Sequence, residues 1–572
     1  MLPAHSPGTN HNAVAPHALR VPQRGSLVRD TLRSHRVGAL AWIVGGGLAM
    51  LGTAAALAAE MEDFPGGPAG LAASVSAGAE AMRLLRWPAE RLDTLGGYLT
   101  YHNVILFNLF LAIYGVVQGA RDIRGAEERG TLEEVLATGH TRAAVVRDRA
   151  IGFALVAGLI GLGIGLGLAA GLAAGDEPDL AGALITMGTS GLVAFAGYAL
   201  GMLLSQVVGS VRVAGGIGSV VLCALYVATN VEDDLGPLGF VRFVSPFHWA
   251  NQSRALVPGQ GLDLGATAVL VLLAIAMLAL AAWAFTARDY AAPLWGRPGH
   301  PGAAAQGRSP ARAADRIPHR MLSSVAAAGV RRGWVVMLVW AGCVAAFTAL
   351  FAALQPQVMD YWNQFDFASA LAGATGSTSA EDTYWSFAGE FFTPVIAAYV
   401  ITQASGWIAD LTQGRVEMVL SAPVTWPMLV RGRLLATSIG VAVIIAGALT
   451  GLAIGAASVG SPLDPVAVAR LVAVGLLFGA ALAAVAAIVV VLVRRPLAVT
   501  IMAVLVGASY LLAWLVPTLG WPQWLSKLSV FWAFGHPYLA WPSTAQWLIL
   551  LALATVGSIA AGAIADRTPK VP

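Results

Sequence analysis

The chain has 572 residues, of which 57% are hydrophobic and only 11% charged, with a mean hydropathy of +0.71. A soluble globular domain is nearer one quarter charged, so the composition excludes an ordinary soluble enzyme and a nucleic-acid binder. The formal net charge is only +3, from 34 Lys+Arg against 31 Asp+Glu. The two cysteines, Cys223 and Cys343, sit in apolar runs, which supports neither a disulfide framework nor a cysteine metal site.

Taken in chain order, residues 1–36 form a polar leader with Arg20, Arg24, Arg29, Arg33 and Arg36. The apolar run after it is of spanning length, so no cleavable signal peptide is expected. Residues 26–36 (SLVRDTLRSHR) are expected to form an amphipathic helix on the membrane surface. Apolar runs follow near 37–59, 97–118, 150–174, 180–204, 213–230 and 265–287, then near 333–354, 385–408, 434–458, 467–493, 497–517 and 545–565. About 20 apolar residues cross ~30 Å of hydrocarbon, and an isolated span satisfies its backbone only as a helix. The expected fold is an all-α polytopic membrane protein of about twelve spans. It divides into a leader 1–36, a six-span half 37–287, a linker 288–332, a second six-span half 333–567 and a tail 568–572.

The linker is rich in Pro, Gly, Ala and Arg and is expected to be flexible in its first part. With the N-terminus inside, 27 of the 34 basic residues fall on inner segments. The Lys/Arg bias therefore places both termini in the cytoplasm.

The two halves read as a repeat. EERGTLEEVLATGHTRAAVVRDR at 127–149 aligns without a gap to LTQGRVEMVLSAPVTWPMLVRGR at 411–433, at a constant offset of 284. Eight of the 23 positions are identical, among them Gly130/Gly414, Glu133/Glu417, Arg147/Arg431 and Arg149/Arg433. The same offset pairs Ser245 with Ser529 and Phe247 with Phe531. Six spans with both ends inside repeat in parallel, which implies a pseudo-twofold axis along the membrane normal with a substrate path between the halves. Within each loop, Leu132, Val135 and Leu136 share one helical face and Glu133 and Glu134 turn away from it. Gly139 in one copy and Pro423 in the other break that helix. A second short helix is expected to start at the N-caps Thr141 and Thr425. Either loop alone reads equally well as a plain connector with snorkelling arginines; its duplication favours a docking surface.

At this loop the sequence resembles the permeases of type-2 ATP-binding-cassette (ABC) exporters, whose loop has the form E-x-G-x-(apolar)-E-x-(apolar)-L-x-(small)-P. The first copy reads Glu128-Arg-Gly130-Thr-Leu-Glu133-Glu-Val-Leu-Ala-Thr-Gly139, and the second Thr412-Gln-Gly414-Arg-Val-Glu417-Met-Val-Leu-Ser-Ala-Pro423. Gly139 thus replaces Pro in one copy and Thr412 replaces Glu in the other. The fused twelve-span form resembles actinobacterial tetronasin/polyketide-antibiotic exporter permeases. The resemblance implies a plasma-membrane permease driven by a separate cytoplasmic ATPase in two copies, with ATP and Mg2+ on that partner and no cofactor in this chain. Its cargo would be amphipathic, antibiotic-like or lipid, and it would take up coupling motion through Glu128, Gly130, Glu133, Arg147, Gly414, Glu417, Pro423 and Arg431. Independently, a Walker A loop needs Gly-Lys-Ser/Thr. The two lysines, Lys527 after Ser526 and Lys570 after Pro569, complete no such motif, so the chain is not expected to be an enzyme.

The second span of each half is aromatic and polar. The resemblance places spans two and five of each half along the central cavity, which makes Asn103, Phe107, Asn108, Tyr114, Tyr226, Phe387, Glu390, Phe391, Tyr510 and Trp514 the candidate substrate path. Aromatic walls with a few polar groups suit large amphipathic ligands. An interfacial aromatic belt is the alternative. Glu390 lies either in the cavity, with Leu106 as its register mate, or at the headgroups. His102 and His248 have no metal-ligand spacing, and no metal site is expected. Two other readings compete: a twelve-span secondary transporter driven by an ion gradient, and a polytopic membrane enzyme. The second lacks a catalytic constellation. The first would normally have a short, strongly basic loop, whereas residues 119–149 carry six Arg against six Asp/Glu.

Overall fold

A computed structural model of the protein describes residues 26–64, 66–79, 90–231, 236–289, 294, 324–364, 379–412, 414–461, 463–518 and 521–567. Long helices dominate them and no strand occurs among them. In chain order the spans are 1 Ser26–Asp63, 2 Leu95–Glu128, 3 Arg142–Ala174, 4 Leu180–Val207, 5 Val211–Asn230 and 6 Leu264–Ala287. The second half has 7 Val325–Ala353, 8 Ala380–Thr412, 9 Trp426–Val459, 10 Pro465–Val493, 11 Leu497–Thr518 and 12 Thr544–Arg567. Eleven of these are long and apolar enough to cross a membrane. The exception is span 11, a 22-residue helix whose described apolar stretch runs only from Leu497 to Ala513. The chain is an all-α, multi-pass membrane protein.

Most of the start points follow from capping chemistry. Asp179, Ser210, Asp263, Ser324 and Asp464 each accept a backbone N–H of the first turn that follows, opening spans 4, 5, 6, 7 and 10. Such caps contribute about 1 kcal/mol each. Two details depart from the sequence reading. Residues 26–36 are helical but run unbroken into span 1 instead of forming a separate surface helix. The expected second short helix after Thr141 and Thr425 is likewise the opening of a long span, of 33 residues in one copy and 34 in the other. In both cases apolar periodicity continues across the polar segment, and nothing there stops the helix.

Small residues decide how the spans meet. Spans 1 and 3 touch backbone to backbone at Gly167 and Gly171, where an added Cβ would collide with Gly47 and Leu51, and at Gly163 it would strike the Ile43 side chain. Spans 7 and 9 repeat this at Gly447, Gly451 and Gly455 against Ala341, Ala345 and Ala349. Span 3 keeps the 284 offset in this contact. Span 1 takes 298, because the connection between the first two spans is longer in the first half.

A second close contact belongs to the first half alone. Gly115 and Gly119 of span 2 interlock with Gly197 and Gly201 of span 4, each Cβ position lying 2.0–2.2 Å from a backbone oxygen of the facing helix. The register mates in the second half are Tyr399, Gln403, Ala481 and Val485. Tyr399 instead lies over Gly440 of span 9. Near it Phe392, Ile396, Ile445, Ala448 and Leu471 line an apolar crevice of about 10 Å³ between spans 8, 9 and 10.

The two halves have separate cores, residues 27–285 in one and 337–565 in the other. They touch where span 11 lies beside span 1 and where Arg212 of span 5 reaches Gly406 of span 8. Two helices not foreseen from the sequence, Gly67–Ala79 and Gln355–Gln364, meet each other on the side away from the duplicated loops.

Because lipid supplies no hydrophobic drive between spans, the glycine contacts must carry the packing. Gly115→Ala or Gly197→Ala should force spans 2 and 4 apart and cost about 1–3 kcal/mol, as overpacking does. Gly158→Ala, whose Cβ would meet nothing within 4 Å, should be near neutral. The thermal unfolding midpoints of the detergent-solubilised variants compare the two.

Candidate functional site: the duplicated loops and the ionic network beneath them

Each loop begins with a glycine in the left-handed region, Gly130 at φ +76° and Gly414 at φ +68°, a conformation that costs an L side chain strain. The turn redirects the chain into a short helix, Thr131–Ala137 in one copy and Arg415–Leu420 in the other. Leu132 and Val416, register mates, are the buried anchors of these helices, while Glu133, Glu134, Glu417 and Met418 are exposed. Gly139 (φ +86°) and the exposed Pro423 end the helices. Thr141 Oγ1 then accepts the N–H of Ala144, and Thr425 Oγ1 that of Met428, opening spans 3 and 9. Arg147 and Arg431 are exposed, Arg147 pairing with Asp148. Glu128 acts locally, its Oε1 accepting the N–H of Val211, the first residue of span 5, at 2.9 Å.

Beneath the first loop lies a buried network that the sequence reading missed. Span 2 widens into a π-helical turn at Arg121–Gly125, a local geometry that often marks functional sites. From this turn Arg124 Nη1 donates to Glu127 Oε2 at 2.7 Å, and Arg288 Nη2 donates to Glu127 Oε1. All three side chains are 2% exposed. Arg124 Nε donates to the carbonyl of Ser205, and Arg288 Nε to Gln206 Oε1, both on span 4. Arg142 at the start of span 3 donates to the carbonyls of Phe285 and Arg288. One turn back along span 2, Asp122 takes Tyr198 OH of span 4 at 2.7 Å and lies 3.0 Å from His35 Nε2 of span 1.

The second loop is organised differently. Asp410 accepts from Arg332 of span 7, Arg415 of the loop helix and Arg433 of span 9. Charges so near an apolar span require partners. The i,i+3 spacing of Arg124 and Glu127 is the one signal in the sequence that hinted at pairing.

The expected substrate-path residues disperse. Phe107 and Tyr114 pack on Trp42 of span 1, at 6.2 and 5.8 Å between ring centres, inside the first-half core. Tyr226 meets Phe247 edge-on at 5.4 Å, and Tyr510 meets Phe531 at 5.3 Å. Both pairs obey the 284 offset, as do the bonds of Ser245 to the carbonyl of Leu225 and of Ser529 to that of Ser509. These aromatics therefore fasten the segments before spans 6 and 12 onto spans 5 and 11. Phe387 lies against Trp362, at 6.3 Å. The side chains of Glu390, Phe391 and Trp514 lie outside the described residues. Asn103 is half-buried in a second π-helical turn, Thr100–Val104. Asn108 is buried and lines a small pocket with Tyr101, Thr186, Glu90 and Arg254, wholly within the first half. The pocket holds about 30 Å³, room for about two waters. Asn108 Oδ1 and Thr186 Oγ1 have no partner among the described residues. At its mouth, the Arg254 guanidinium holds the Glu90 carboxyl below the usual carboxylate range.

Comparison with known proteins bears on the whole assembly. Residues 28–290 match the family described as ABC-2 family transporter protein. Residues 322–567 match the one described as multidrug efflux system permease Rv1217c, C-terminal domain. No curated protein matches the chain. The two matches meet the two six-span halves and leave between them only part of the linker, and the chain belongs to the ABC-2 type exporter permeases.

Proposed function

We propose that the chain is the membrane subunit of an exporter powered by a separate Walker A ATPase, two copies of which dock on the short helices Thr131–Ala137 and Arg415–Leu420 from the cytoplasm. Membership of the family implies an ABC ATPase partner; the docking place, the copy number and the cargo are our reading. The observation that carries it is the duplication of an exposed glutamate on a short helix launched by a left-handed glycine. A connector has no need to repeat that geometry with its charge pointing outward. Glu133 and Glu417 are placed to accept charge-assisted hydrogen bonds from ATPase arginines or backbone N–H groups. ATP and Mg2+ belong to the partner.

The cargo is hydrophobic or amphipathic, of the antibiotic or lipid class, as the efflux-permease match of the second half and the resemblance to polyketide-antibiotic exporters suggest. Its path runs along the seam between the halves, where the separate cores leave spans 5 and 7 facing each other. Cys223 of span 5 and Cys343 of span 7 are both exposed and are neighbours across that seam.

Glu133→Ala with Glu417→Ala should lower ATPase co-purification by about tenfold or more, since losing one side of a buried interfacial charge pair costs on the order of 2–5 kcal/mol. Thermal stability of the permease should be unchanged. Equal docking, or loss of stability without a docking defect, would sink the assignment. A second test uses the two native cysteines. A short membrane-permeant bis-maleimide should link Cys223 to Cys343 and abolish substrate-stimulated ATP hydrolysis, and Cys223→Ser should restore it. Unimpaired stimulation in the linked protein would place the path elsewhere.

A further inference from the structure

The sequence repeat implies two equal loops, but the residues beneath them are not repeated. In the first half Glu127 joins the base of the loop to Arg288 at the end of span 6 and, through Arg124 and Arg288, to Ser205 and Gln206 of span 4. Glu128 adds span 5. The interlocked glycines of spans 2 and 4 continue the same connection through the membrane. At the register positions of Arg124 and Glu127 the second half has Ile408 and Leu411, which form no ion pairs. Its carboxylate, Asp410, instead reaches spans 7 and 9, which are themselves interlocked by Gly447, Gly451 and Gly455. Span 10 meets span 9 at the loop end through the Arg494 guanidinium over the Trp426 ring, at 4.9 Å. Its contact with span 8 is apolar and leaves a small crevice at Phe392, Ile396 and Leu471.

We propose that the two loops drive different bodies, with Glu127 and Asp410 as the positioning residues. The first loop moves as one piece with spans 4 and 6. The second moves with spans 7 and 9 and slides against spans 10 and 12. A fused chain thereby obtains from two similar docking events one nearly rigid half and one that parts internally. This rests on the reading of both loops as ATPase docking sites.

Two measurements test it. Amide hydrogen exchange on the full permease in nanodiscs needs no ATPase. Glu127→Gln should speed exchange about tenfold at the loop ends of span 4 (203–207) and span 6 (284–288). Asp410→Asn should do so at 325–333 and 426–434 while leaving 488–493 and 561–567 unchanged. If Glu127→Gln does not fold, Gln206→Leu cuts the same connection at span 4 and should free the end of span 6. Spread of the Asp410→Asn effect to spans 10 and 12, or no effect of either first-half variant on span 6, overturns the proposal.

The second measurement uses spin labels on the complex with its ATPase, in a Cys223→Ser/Cys343→Ser background. Between nucleotide-free and vanadate-trapped states, the distance from Thr138 to Thr286 should hold within about 1–2 Å. The distance from Ala422 to Asp566 should change by about 3 Å or more, between a helix shift and a one-turn slide. Glu127→Gln should release the first distance, and Glu127→Asp should restore it in part. Equal changes at both pairs in the wild-type chain also overturn the proposal. Failure of any ATPase to dock refutes the functional reading instead, and leaves the exchange pattern to decide the linkage.

Discussion

Helices in lipid gain nothing from leaving a hydrophobic environment for another, so their association rests on how closely their surfaces fit. In this protein that constraint is met by glycine. Spans 1 and 3, and spans 7 and 9, approach until a single methyl group would strike the opposite backbone. Each pair forms one flank of its half, and the remaining spans assemble mainly on spans 4 and 10. The carbonyl-to-glycine contacts carry little energy individually. They fix the distance and register of the helices, and so decide which polar side chains can reach one another at the loop end.

The ionic networks follow from that placement. Asp122 meets His35 and Tyr198 because the contacts of span 1 with span 3 and of span 2 with span 4 bring three helix ends together. Glu127 is buried between two arginines, a setting in which the desolvation of the charges roughly offsets their attraction. What such a cluster contributes is therefore geometric definition more than net stability: with one partner missing, the others are left as uncompensated buried charges. The second half reaches the same end by a carboxylate one residue away in register, Asp410, which draws on spans 7 and 9. Duplication kept the scaffold and the loop, and the polar contacts diverged around them.

The same divergence accounts for the scattering of the expected cavity residues. Aromatic side chains in spans two and five of each half are consistent with a ligand wall, but they are equally suited to fastening neighbouring elements. Tyr226 and Tyr510 do the latter, each edge-on to a phenylalanine 21 residues ahead. The polar residue that does line a pocket, Asn108, faces into its own half.

Much of this was legible in the chain itself. The spans, the caps at Thr141 and Thr425, and the paired loops with Gly130 and Gly414 rest on local periodicity, on short-range hydrogen bonding and on a constant offset, all of which a sequence displays directly. The continuation of the helix through residues 26–36 was less so, because a polar helical segment reads alike whether it lies on a membrane or extends a span. What only the tertiary structure decided are the contacts between distant positions: Glu127 with Arg288, His35 with Asp122, Asp410 with Arg332. Their partners are 161, 87 and 78 residues apart, and which residues meet depends on helix separation and rotation, set by glycines whose role in the sequence is indistinguishable from that of their neighbours. A repeat in sequence implies two like halves; the close approach of spans 2 and 4, blocked at Tyr399 in the other copy, makes them unlike.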